Sequence, residues 1–133
     1  MTEEEYDFVK CVQAVLTPDL IPRAYQNHPE NPMFGHCYGA AEALYHLLGG
    51  GDRGYTAQRA IDRDGITHWW ILSPEREILD PTAAQYIDFG NKPPHDIGRG
   101  AAFRGRSNRA IRIMERVSRL RQPDRGIEVI LAP

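Results

Sequence analysis

A cysteine attacks a carbonyl as its thiolate, so it needs a base to take the proton and a third group to hold that base. Three residues of this 133-residue chain could fill those roles in chain order: Cys37, His68 and Asp80. Cys37 opens a segment, 37–48, in which Cys37, Ala41, Leu44 and Leu48 recur on one helical face, widened by Ala40 and Leu47. In the first turn of a helix, unpaired backbone N–H groups and the positive end of the dipole favour a thiolate over a thiol. His68 lies in a β-rich run from Ile66 to Leu72, and Asp80 ends the short run Ile78-Leu79-Asp80 that Pro81 stops. If a hairpin brings both side chains to one face, Asp80 reaches the far ring nitrogen of His68, giving a nucleophile, a base and an orienting carboxylate. Taken singly, Cys37 also reads as an inert core thiol; the joint occurrence in order favours chemistry.

The elements that must position these residues are legible in outline. Residues 3–15 predict a helix capped by Thr2, with Glu5 completing a capping box and Phe8, Val9, Val12 and Val15 on one face. Residues 26–35, rich in Asn, Pro and Gly, form a loop leading into the Cys37 helix, which Gly49, Gly50 and Gly51 end. Residues 55–61 and 66–73 are strands joined by Asp62-Arg63-Asp64-Gly65, and a second turn at Ser73-Pro74-Glu75-Arg76 leads to the Ile78 strand. Residues 90–105 read as irregular, a lid or a substrate-contacting loop. Ser107 caps a helix to about Arg121, with Ile111, Met114, Val117 and Leu120 inward and Arg109, Arg112, Arg116 and Arg119 mostly outward. A last strand, Ile127 to Leu131, closes the pattern. The length sets one domain, 1–133, of α+β class: a central helix bearing the cysteine on a small antiparallel sheet.

Gly35-His36-Cys37-Tyr38 opening a helix, Thr67-His68-Trp69-Trp70 in a strand, and Leu79-Asp80-Pro81-Thr82 on the next resemble the papain-like and transglutaminase-like cysteine protease superfamily. The resemblance covers roughly residues 31–86. It implies a small, minimal-core member with Cys37, His68 and Asp80 as catalytic triad, acting on an amide, isopeptide or thioester carbonyl of a protein, peptide or small acyl substrate. It also implies Asn31, six residues before the nucleophile, as an oxyanion donor alongside the Cys37 N–H. Trp69 and Trp70 alternate faces, one for the core and one to wall a substrate cleft. His36 could raise thiolate occupancy. A zinc site from His36, Cys37 and His68 lacks the ligand pairs two to four residues apart that structural zinc uses, so no metal or organic cofactor is expected.

Composition excludes other classes. Hydrophobic residues make up 41% and charged residues 26%, a globular balance far from that of disordered chains. No apolar run approaches the ~18 residues of a membrane span, and the acidic start Met1-Thr2-Glu3-Glu4-Glu5 is unlike a secretion signal, so a cytoplasmic, membrane-free protein is expected. The net charge of −2 hides an acidic body and an arginine-rich end. The alternative to catalysis is a binding module whose basic C-terminal helix engages an anionic partner. Partial cancellation by the acidic body argues against nucleic acid. A random DNA duplex is therefore expected to show no binding at about 1 µM protein in physiological salt. A salt-sensitive complex abolished by Arg112→Glu with Arg116→Glu would instead establish the binding module.

Overall fold

The computed structural model describes residues 1–122, so the expected strand Ile127 to Leu131 lies outside the described residues. Helices α1 (Glu3–Val15), α2 (Cys37–Leu47), α3 (Ala84–Ile87) and α4 (Asn108–Arg121) accompany strands β1 (Thr56–Ile61), β2 (Thr67–Leu72), β3 (Ile78–Leu79) and β4 (Arg99–Ala101). The strands form one antiparallel sheet in the order β3-β2-β1-β4. The fold is α+β, with α2 packed against the sheet on one side and against α1 and α4 on the other.

Thr2 caps α1 as the sequence predicts: its hydroxyl accepts from the Glu5 N–H at 3.1 Å and Glu5 answers with a bond from the Thr2 N–H at 2.8 Å. The remaining Glu5 oxygen accepts from the Tyr55 hydroxyl at 2.7 Å, tying α1 to the start of the sheet in a buried bond. Helix α2 is the core of the molecule. Ala40, Ala41, Ala43 and Leu44 are fully buried and pack with Val12, Ile71, Leu79, Ile113 and Val117. Its chain exits through Gly49 at φ 101, a left-handed conformation that only glycine adopts without a steric penalty.

Helix α4 differs from expectation in its rotation. Ala110, Ile113 and Val117 are the buried positions with Met114 packed beside them, whereas Ile111 and Leu120 are exposed. The sequence offers two overlapping apolar stripes, and a polar anchor selects between them. Glu42, fully buried on α2, accepts from the Ser107 N–H at 3.1 Å and from its hydroxyl at 2.7 Å, while the same hydroxyl caps α4 through the Ala110 N–H. The arginines do not form one solvated stripe either. Arg116 reaches back to the end of α1, donating to the Val15 carbonyl at 3.1 Å and pairing with Asp19 at 2.8 Å. Arg121 pairs with Asp7 at 3.5 Å and covers the Phe8 ring.

Residues 90–105, expected to be irregular, contain β4, which pairs with β1 through Ala57↔Ala101, Gln58↔Gly100 and Arg59↔Arg99. Three residues with two glycines nearby carry no period-2 signal, so pairing is imposed by tertiary contact. Ser107→Ala is expected to lower stability by about 1 kcal/mol through loss of the cap. Glu42→Ala should cost about 1 to 3 kcal/mol because it strands buried donors. Urea denaturation followed by circular dichroism measures both, and unchanged midpoints would refute the anchoring role of Glu42.

Candidate active site

The register of the sheet decides what Asp80 can touch. Ile71↔Leu79 and Leu72↔Ile78 pair directly, so Asp80 continues the ladder opposite Trp70 and shares a face with Trp70 and His68. The His68 Nε2 lies 2.7 Å from Asp80 Oδ2. The Asp-Pro-Thr sequence acquires a physical role here: the Thr82 N–H donates to Asp80 Oδ1 at 3.1 Å and its hydroxyl approaches the same oxygen at 3.5 Å, closing a turn around Pro81. Trp70, 1% exposed, stacks on His68 at 5.7 Å, and the Tyr86 ring meets His68 edge-on at 4.9 Å. The Tyr86 hydroxyl in turn donates to Asp62 Oδ2 in the β1–β2 turn at 2.7 Å.

With Nε2 committed to Asp80, the nitrogen His68 offers to Cys37 is Nδ1. That atom is buried and has no hydrogen-bond partner among the described residues. Cys37 stands at the first turn of α2, 8% exposed, and its Sγ–H donates to the carbonyl of Thr67, the residue before His68, at 3.6 Å. Burial opposes protonation of His68, but the hydrogen bond to Asp80 and the charge of that carboxylate, with a further contribution from the nearby Cys37, prevail and raise its pKa to about 9. Asp80 moves the other way: burial would raise its pKa, and the bonds from His68 and His95 hold it below the ordinary value. His36 is pushed down to about 4 by burial and by Arg109, so it adds no positive charge beside the thiol near neutrality.

No side chain caps α2, and the N–H groups of Cys37, Tyr38 and Gly39 have no hydrogen-bond partner among the described residues. A space of about 120 Å³ opens beside the sulfur, lined among others by Tyr25, Phe34, Tyr38, Trp69 and Gln85. Asn31, expected to face an oxyanion there, instead donates its amide to the Gln85 backbone carbonyl at 3.1 Å and does not line this space. Gln85 does line it, and its side-chain Oε1 is buried with no hydrogen-bond partner among the described residues. Of the two tryptophans, Trp69 walls the space and Trp70 belongs to the core.

His95 is a member that sequence reasoning missed. Its Nε2 also lies 2.7 Å from Asp80 Oδ2, so one carboxylate oxygen holds two imidazoles. Its place in the loop follows from Gly98, where any Cβ would overlap Cζ2 of the Trp70 indole; only glycine lets this backbone lie flat on the ring. His68, Asp80 and His95 are also the group whose ligand atoms, all within 4.8 Å, could hold a metal ion; a cation there would have to displace both histidine bonds. No helix among the described residues is long and apolar enough to cross a membrane. No family model, curated protein or solved structure matches the chain.

The raised pKa of His68 has a thermodynamic consequence. Its protonated form is favoured in the folded state relative to an ordinary value near 6.5, so this contribution is complete below about pH 6.5 and is lost as pH rises through about 9. Stability is expected to fall by roughly 3 kcal/mol as the pH rises through that window, and Asp80→Asn should flatten the slope. Denaturant midpoints at the two ends of the window test it, and a wild-type profile without this slope would refute the coupling.

Proposed function

We propose that the protein is a thiol-dependent hydrolase or acyltransferase acting on an amide, isopeptide or thioester carbonyl, built on the papain-like or transglutaminase-like core its sequence resembles. The observation that supports this reading is the chain Cys37, His68, Asp80, in which each ring nitrogen of His68 has a different neighbour. Transfer of the Sγ proton to His68 Nδ1, as the sulfur leaves the Thr67 carbonyl, precedes attack and gives the thiolate and imidazolium pair that the raised His68 pKa favours; the thiolate electron pair then attacks the carbonyl carbon of the substrate. The carbonyl π pair moves onto oxygen. The donors assigned to that oxyanion are the unpaired Cys37 N–H and, in the role expected of Asn31, the Gln85 side-chain amide; both residues line the space beside the sulfur.

Collapse of the tetrahedral species expels an amine or thiolate, which takes the proton from His68, and leaves an acyl thioester on Cys37. Water or a second nucleophile, deprotonated by His68, then releases the acyl group and restores the thiol. Asp80 stays ionised throughout, holds the ring and stabilises the imidazolium.

Cys11 supplies an internal control, since it is a half-buried thiol packed against the core. At pH 6 to 7 iodoacetamide is expected to alkylate Cys37 about tenfold or more faster than Cys11, as read by mass spectrometry of a timed series. Asp80→Asn should lower the Cys37 rate in a folded protein, and His68→Ala should lower it further. Slow labelling of both thiols at the same rate would overturn the proposal.

A further inference from the structure

Tyr38 and Trp69, which wall the space beside Cys37, also wall a second and larger one of about 430 Å³. The two rings meet edge to face at 4.8 Å, so the spaces adjoin across a single aromatic partition. The second space is completed by Arg59, Ala101, Ala102 and Arg104 and contains no carboxylate. The Arg59 guanidinium lies 5.9 Å from the Trp69 ring, and the backbone N–H of Arg104 donates to the Tyr38 hydroxyl at 3.4 Å. Among the described residues the arginines that form ion pairs are Arg53, Arg116 and Arg121; Arg59, Arg99 and Arg104 form none.

The sheet adds a second, independent observation. Arg59 stands directly opposite Arg99 in the β1–β4 ladder. Like charges at directly paired positions repel and weaken a sheet unless a counter-charge lies between them. Arginine presents a planar fork of donors suited to carboxylate or phosphate oxygens, and an adjoining aromatic face leaves those donors free to turn toward a ligand.

We infer that the cleft formed by Arg59, Arg104, Tyr38 and Trp69 is an oxyanion-group subsite for the substrate of Cys37. Resting on the thiol reading above, it assigns the substrate class: an acyl compound carrying a carboxylate or phosphate beyond the reacting carbonyl, with the aromatic partition gripping the connecting chain. The negative group settles the repulsion between Arg59 and Arg99, and binding there sets the carbonyl over the sulfur.

The test uses three haloacetyl probes on the full chain: N-iodoacetyl-aspartate, N-iodoacetyl-phosphoserine and the neutral N-iodoacetyl-asparagine. Relative to Cys11, Cys37 is expected to react about fivefold or more faster with the anionic probes, an advantage that shrinks with added salt. Either anionic probe alone identifies which oxyanion is preferred. Arg59→Gln with Arg104→Gln should remove the advantage and leave the iodoacetamide rate unchanged. Equal rates for charged and neutral probes at a reactive Cys37 would overturn the subsite and spare the thiol reading. Independently of thiol reactivity, N-acetyl-aspartate should shift the Trp69 indole N–H resonance in Cys37→Ser, and N-acetyl-asparagine should not. That shift with an inert Cys37 would uphold the subsite and sink the chemistry, and its absence with both N-acetyl-aspartate and O-phosphoserine would overturn the subsite.

Discussion

One buried carboxylate organises the region where the chemistry is proposed. Asp80 accepts four hydrogen bonds, two from histidine nitrogens at Oδ2 and two from Thr82 at Oδ1. An ionised carboxylate withdrawn from water is tolerated only when its oxygens are paired and hydrogen-bonded. That requirement reaches outward. It fixes the turn through Pro81, draws the His95 loop across the back of the sheet, and pins the imidazole of His68 between Trp70 and Tyr86. Tyr86 then fastens the same region to the β1–β2 turn through Asp62.

The opposite pole of the site is defined by bonds left unmade. Most helices satisfy their first N–H groups with a capping side chain, and α1 and α4 both do so through Thr2 and Ser107. Helix α2 has no such cap, although it is the most buried of the helices. The omission leaves donors without partners at the end of the helix that carries Cys37, and the rest of the fold offsets its cost through the apolar packing of Ala40, Ala41, Ala43 and Leu44.

The parts of the fold with strong local periodicity were legible in the sequence: α1 with its capping box, α2 with its glycine exit, and the hairpin around Asp62 to Gly65. The relation of His68 to Asp80 was legible too, because strand alternation and two short turns leave little freedom in register. What escaped was everything decided by long-range contact. Strand β4 and helix α3 are too short to announce themselves. His95 reaches Asp80 only because Gly98 lies on Trp70, and Gln85 enters the cleft from a segment with no pattern of its own. The α4 face was misassigned because a buried glutamate on another helix sets its rotation.

Neighbouring residues of β2 serve opposite sides of the sheet. Thr67 gives the sulfur its resting acceptor through the backbone, His68 faces Asp80 on one side, and Trp69 faces Tyr38 and Phe103 on the other. Because side chains alternate strictly, sliding this strand by a single residue would exchange the two assignments wholesale. The indole would land on the carboxylate and the imidazole among the aromatic rings, within a sheet whose ladder of bonds remained whole. The four residues of the turn from Asp62 to Gly65, with Asp62 accepting from the N–H groups of Asp64 and Ile66, therefore act as the phase lock of the site. Insertions that would pass unnoticed in another surface turn would here separate His68 from Asp80.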